Sequence, residues 1–529
     1  MTPRKSECTG TLTRRQVVAG AAGLGLATPL LLGGRSAAAA PRRQDGAPKS
    51  GGTLKVGLQA DPTALDPQKQ SLTAIWHAVE QIYNGLTRVK PDLSIEGALA
   101  ESWDISDDGI TYTFKLRPGV LFQDGTPLKA SDVKFTFERL VDPATASTSA
   151  ADLASMKSIE APDDGTVVMT LNAPDASLLA TLAGGSCFVY SEAFVKANNN
   201  DVSQVAMGTG PFKFVEYVPN TRIVYERNPN YWEEGLPYLD GLEMTIASDD
   251  TARTAAVVTG TVDFIEYAPL RDIETLQADP SLTLAGDSNT NIRFIGLNLS
   301  KAPFDNLKVR QAIAAVVDRD AMLGPTVFGH GTPTEVLFPP DYWAALQQEV
   351  RPPDVEKAKA LMAEAGYADG FSTTITSWSQ YSFLSNAAVV LQEQLRQIGI
   401  EAELNLVENA TMIDQVYVNK TYEIAVTGDS AYVDPNTLVL PNFKTGESGN
   451  FANYSNEEVD KLIEQGIAVT DQAERAKIYQ QIQQKLLEDL PWINLFVANQ
   501  YEAMKSDVKG YVHIPTGSNA ALRMTWLDR

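Results

Sequence analysis

Two hydrophobic rhythms alternate along this chain. Ile400, Ala402, Leu404 and Leu406 are spaced by two, as are Tyr112, Phe114 and Leu116, which predicts half-buried strands. Elsewhere the spacing is three and four. Leu384, Ala388, Leu391, Leu395 and Ile398 form one helical stripe, and Gly399 stops it. Val133, Phe137 and Leu140 form another, as do Val309, Ile313 and Val316, then Ala358, Leu361 and Ala365, which Gly366 ends, and finally Ile478, Ile482 and Leu486. Ser131, Asp305 and Asp354 stand where helix caps are expected, and Ser455 with Glu458 and Asp471 with Glu474 have the spacing of capping boxes. Strands are also predicted at Thr53 to Leu58, Phe371 to Thr376, Ile424 to Gly428 and Trp492 to Ala498, with a helix from Ile75 to Leu86. The repeated order of helix, glycine and strand is that of an α/β protein.

The chain pivots on Asn291 to Leu299, an apolar strand just past its middle. Gly296 breaks the row of side chains there, as where another backbone or a ligand comes close. Pro303-Phe304-Asp305 follows, and then a helix is predicted from about Asn306 to Met322. A chain of 529 residues is too long for one core. We read the strand as leaving one lobe and entering a second, with a ligand between them. The spacing also allows an ordinary core strand in a single large domain.

Composition narrows the function. The net charge of −23 excludes retention on nucleic acid through phosphate neutralisation, and anionic lipid repels such a chain. The first 39 residues have the form of a targeting segment. Arg14-Arg15 precede a modestly apolar run, Val17 to Leu32, and small residues, Ser36 to Ala40, follow it. A twin-arginine leader cut after Ala39 is expected. It removes five of 43 basic and one of 66 acidic residues, leaving −27. Ala40 to Gly52 is then a flexible linker. Cys8 goes with the leader and Cys187 stands alone, so no intrachain disulfide can form. No cysteine follows the apolar run, so no lipid anchor is expected.

The usual catalytic signatures are absent. The three histidines, His77, His330 and His513, are far apart, and there is no Gly-x-Ser-x-Gly, His-Glu-x-x-His, Cys-x-x-Cys or Walker loop. This speaks against a serine hydrolase, a zinc enzyme and a histidine-built metal or haem site. No catalytic residue, cofactor or metal is expected, although 66 acids leave a carboxylate-pair hydrolase open. The candidate ligand residues lie where strands end, because ligands of α/β sheets bind there. One such loop is Trp378-Ser379-Gln380-Tyr381, whose aromatics can stack on a ligand. A second follows Gly428 and contains Asp429 and Tyr432. Asp61 and Trp76 are the candidates in the first lobe.

Ala98-Leu99-Ala100-Glu101-Ser102-Trp103, with the hairpin through Asp107-Asp108-Gly109 and Phe122-Gln123-Asp124-Gly125, closely resembles the signature region of the family 5 solute-binding proteins of ABC importers. Met207-Gly208-Thr209-Gly210-Pro211-Phe212, Arg227-Asn228-Pro229-Asn230-Tyr231-Trp232, Val309-Arg310-Gln311-Ala312-Ile313 and Leu490-Pro491-Trp492-Ile493 follow in that family's order. The resemblance spans nearly all of the chain after the leader. It implies a two-lobed periplasmic-binding-protein fold, type II-like (cluster C), with a hinge. Lobe one would comprise 53–292, with an inserted subdomain at about 92–206, lobe two 293–497, and 498–529 would return to lobe one. It also implies a role in which the protein captures a small solute and delivers it to the transmembrane subunits of a permease, as an exported, periplasmic or secreted monomer. A short peptide is the expected ligand, with an oligosaccharide, an opine or a metal chelate as rivals. A carboxylate-dependent hydrolase and a non-transporting receptor or chaperone are the competing classes. Carried over by position, Asp429 would hold a peptide ammonium, and Thr427 and Gly428 would offer backbone hydrogen bonds. Val426 departs from the tryptophan usual in peptide-binding relatives.

Overall fold

A computed structural model describes residues 46–529, apart from 71, 72, 288, 430 and 431. The expected leader and the start of the linker lie outside the described residues. Among the described residues the strands gather into two large sheets, a smaller four-stranded one and two two-stranded ones. The first sheet has seven strands, in the order Leu282–Asp287, Gln500–Lys505, Phe264–Ile265, Thr53–Leu58, Gly241–Ile246, Arg222–Arg227 and Phe212–Val218. The second has six, in the order Gly331–Pro333, Trp492–Ala498, Ile292–Leu297, Ile424–Asp429, Phe371–Trp378 and Ile400–Val407. The small sheet joins Ala100–Ile105, Thr111–Leu116, Thr166–Leu171 and Met156–Asp163, and helix Ala130–Val141 packs on it through Val133, Phe137 and Leu140.

Each large sheet carries its own core. On the second, Ile295, Leu297 and Val426 pack against Leu384, Leu391 and Leu395 on one face. Ile292, Phe294 and Trp492 meet Phe451, Tyr479 and Ile482 on the other. Alternation along one strand thus feeds two cores, as burial on both sides of a sheet requires. Gly296 is explained by packing. A Cβ there would lie 2.5 Å from the Phe451 ring, so the neighbour it admits is an aromatic side chain, not a backbone or a ligand. On the first sheet, Leu54, Val56, Leu242 and Met244 pack with Ile75, Val79 and Ile82.

The chain crosses between the large sheets twice, from Asp287 to Ile292 and again at Asn499. Further contacts join the same bodies, among them the following. The short hairpin of Thr87–Val89 and Ile95–Gly97 places Leu93 in the Phe294 core, and Ala176 N donates to Ile467 O at 2.8 Å.

Several local expectations move. The helix expected over 306–322 is two, Leu307–Val316 and Arg319–Val327, because Val317 and Asp318 are extended and Asp318 caps the second. Asn306, not Asp305, caps the first. Asn456, not Ser455, caps Glu457–Ala468 and accepts from Glu458 N and Val459 N. Ser131 lies inside its helix, whose start is closed by the Asp132 carboxylate reaching back to Lys129 N. Asp354 and Asp471 do cap their helices. The first helix is Thr73–Val79 and does not run on to Leu86. The carbonyls of Gln81, Ile82 and Asn84 instead accept from Phe212, Gly210 and Val189. Among the described residues no helix is long and apolar enough to cross a membrane.

Candidate functional site

The two crossings fix where the sheets look at each other. In the second sheet Phe371–Trp378 is parallel to Ile400–Val407 and to Ile424–Asp429, so Trp378, Val407 and Asp429 end at one edge. Ile292 pairs with Asp429 and with Val497, so the chain enters and leaves the sheet at this same edge. In the first sheet Leu58 lies beside Ile246, and Gly57 beside Ile265, all at strand ends. Asp287 pairs with Gln500 at the corresponding edge. The carboxyl ends of the parallel strands in both sheets therefore point toward the crossings. That is where an α/β sheet offers a crevice to a ligand.

On the second-sheet side, Thr427, Gly428 and Asp429 pair with Phe294, Arg293 and Ile292. On the opposite side the ladder to Phe371–Trp378 stops at Val426. The last three residues thus present an unladdered backbone edge. Thr427 is fixed by its side chain, since Trp378 Nε1 donates to its Oγ1 at 3.2 Å and Tyr417 OH lies 2.9 Å from the same atom. Burial pushes the Tyr417 hydroxyl up to about 12, so it stays protonated. Asp429 accepts from Asn442 Nδ2 at 3.4 Å. Tyr381, 44% exposed, meets Trp378 edge-on, with ring centroids 5.7 Å apart. Tyr432 is set apart from this group. It is 5% exposed, its ring packs against Phe338 and Tyr342, and its hydroxyl donates to Leu337 O. Its polar end is spent inside the core.

On the first-sheet side, Asp61 follows the end of Thr53–Leu58 and is already engaged. It accepts from Tyr217, Asn220 and, at 2.6 Å, Thr63 N. Trp76 sits on Thr73–Val79 with its ring against Gly185, where a Cβ would come within 2.5 Å. Its Nε1 is buried and finds no partner among the described residues.

Two features have little or no signal in spacing. The first is Arg293, one residue into the pivot strand. Its neighbours Ile292, Phe294, Ile295 and Leu297 are buried apolar residues, while Arg293 folds across Gly428, where a Cβ would meet its Nη1 at 2.7 Å. The guanidinium lies 4.9 Å from the Phe383 ring centroid. Burial lowers it to about 10, against the pull of Asp429, so it stays charged at neutral pH. A charged residue inside an otherwise apolar strand was the visible signal.

The second feature is a polar network under the first-sheet edge. His77 Nδ1 pairs with Glu266 Oε2 at 2.6 Å, and His513 Nδ1 pairs with Glu502 Oε2 at 2.9 Å. Asn519 Nδ2 donates to Glu266, Ser518 Oγ to Glu80, and Gln500 Nε2 to Glu502. Burial disfavours the His77 cation, but Glu266 outweighs it and raises the imidazole to about 9. Burial lifts Glu80 to about 7. Two histidines 436 positions apart thus each pair with a buried carboxylate near this edge. Among the described residues no cluster of three or more His, Cys, Asp or Glu is arranged to hold a metal.

The family model for bacterial extracellular solute-binding proteins, family 5, matches residues 94–450. The chain is a family 5 solute-binding protein. It is 35% identical to heme-binding protein A of Haemophilus influenzae, over 83% of this chain and 86% of that one. It is 30% identical to the glutathione-binding protein GsiB of Escherichia coli, over 87% and 92%. It superposes on the periplasmic binding protein DppA of Helicobacter pylori, solved with the peptide STSA, at a TM-score of 0.77 and 29% identity, covering 90% or more of both chains. The two-sheet architecture of this solute-binding protein is accordingly the family 5 fold, and its role is to bind a solute.

Proposed function

We propose that this solute-binding protein captures a short peptide at the edge of the second sheet and hands it, unaltered, to the transmembrane subunits of an ABC permease. The observation that carries the reading is the unladdered backbone of Thr427 to Asp429, with a carboxylate at its end and Trp378 and Tyr381 beside it. Extended backbone adds to such an edge as a strand would, and the side chains are left to tolerant surroundings. Asp429 then pairs with the peptide ammonium, which fixes register as well as affinity. Trp378 and Tyr381 wall the first residue. The glutathione- and STSA-binding relatives support a peptide. The protein works as a monomer exported by the twin-arginine route, and it hands its ligand on without turnover.

Binding is coupled to closure about the two crossings. Leu93 and the Ala176–Ile467 hydrogen bond are contacts made in the closed form, and the ligand favours that form by touching both bodies. Calorimetry with Ser-Thr-Ser-Ala and its N-acetyl derivative tests the site. The free peptide should bind at least tenfold tighter. Equal affinities would reject the ammonium role of Asp429. Small-angle scattering should show compaction at saturation, and unchanged dimensions would reject the closure.

A further inference from the structure

We infer that Arg293 is the anion-binding half of this site and that the preferred ligands carry a carboxylate close to their ammonium, γ-glutamyl peptides among them. The inference rests on the peptide reading above and narrows it. Its basis is the state of the guanidinium. Arg293 Nη1 donates to Ile292 O at 3.1 Å, and that is its one hydrogen bond among the described residues. Its Nε is buried with no partner there, and it enters no ion pair. A guanidinium has five N–H donors in a rigid fork. Leaving a buried N–H of a half-buried guanidinium unsatisfied is costly, and buried arginines elsewhere in the chain hold carboxylates: Arg139 pairs with Asp66, and Arg475 with Asp434 through two bonds.

The position of the fork adds direction. Arg293 starts on Ile292–Leu297, crosses over Gly428 and ends above Phe383, at the start of the helix Ser382–Arg396. It therefore reaches from the edge of Thr427 to Asp429 toward the Trp378–Tyr381 loop, whose Tyr381 ring lies 5.7 Å from that of Phe383. Only a glycine at 428 permits this, because a Cβ would lie 2.7 Å from Nη1 and 2.8 Å from Cδ. Charge gives the rest. Asp429 is the acid whose field favours the Arg293 cation. A ligand carboxylate on Arg293 would meet that cation directly, and a bidentate pair suits the fork.

The test uses the full chain and calorimetry with three probes: reduced glutathione, γ-aminobutyryl-cysteinyl-glycine, and Ser-Thr-Ser-Ala. The first two differ only in the carboxylate beside the ammonium. The wild-type protein should prefer glutathione by at least tenfold, Arg293→Gln should bring the two within about twofold, and Arg293→Lys should keep part of the preference. The weaker ligand should bind the wild type and Arg293→Gln alike. If the wild type binds the two equally, or if Arg293→Gln keeps the preference, the proposal is overturned. The wild-type comparison decides the matter even if the variant does not fold. Binding of Ser-Thr-Ser-Ala without glutathione overturns the anion site and leaves the peptide reading standing. Binding of none of the three removes both.

Discussion

The two sheet edges that face the crossings are built alike and finished differently. Both collect the carboxyl ends of parallel strands. At the first-sheet edge two histidines and two loop residues meet carboxylates of the same body. His77 sits against Glu266, His513 against Glu502, and the C-terminal return lays Ser518 and Asn519 over Glu80 and Glu266. At the second-sheet edge the backbone ladder stops short, Arg293 keeps unused donors, and Tyr381 stays exposed. Topology alone does not make a binding site. One edge pairs its acids largely within its own body, and the other is the one at which the proposed reading seats the guest.

The largest expected effect tests the open edge. Asp429→Ala should cost roughly 2–5 kcal/mol of peptide affinity, the range for unpairing a buried charge. A loss below about 0.5 kcal/mol by calorimetry would show that this edge is no more committed to a ligand than the other.

The next tests the first-sheet edge through pH. His77 is raised to about 9 and Glu80 to about 7, so the folded state holds more protons than the unfolded chain between pH 4.5 and 9. Stability therefore falls as pH rises through that window. The His77 share is complete below about pH 6.5 and lost by about 9, and it amounts to roughly 3 kcal/mol at most. Thermal melts from pH 5 to 9 should show the decline, and His77→Gln should flatten its upper half. An unchanged slope in the variant would mean that the network is not the source.

A smaller effect tests whether the edges are brought together. Leu93→Ala removes apolar contact between the hairpin and the Phe294 core. If the proposed closure forms this contact, peptide binding should weaken by about 1–2 kcal/mol. Unchanged affinity would argue that Leu93 remains seated when the site is empty. The smallest effect is a control remote from both edges. Asp471→Ala removes the cap that accepts from Glu474 N at 2.9 Å and should cost about 1 kcal/mol of stability with no change in affinity.

Much of the scaffold was legible because local rules govern it. Asp354 and Asp471 cap helices by side-chain reach over three residues, and Gly399 ends one with a positive φ of 80°. Where two candidates stood side by side, as Asp305 and Asn306 or Ser455 and Asn456, spacing could not choose, because the cap goes to the residue whose backbone is extended at the helix start. Gly296 advertised a close approach without naming the Phe451 ring that makes it.

The sequence by itself determined the alternation of strands and helices, the family and the strand ends at which a ligand can sit, since each follows from periodicity or ordered motifs within short spans. Tertiary structure decided which of those residues face the crossings. Tyr432 was turned into a core, Asp61 was tied to Tyr217, and His77 and His513 were each set against a carboxylate from another segment. Arg293 was left with open donors beside Asp429. The physical reason is that burial and electrostatic balance are sums over neighbours from the whole chain, and no stretch of sequence contains its own neighbours.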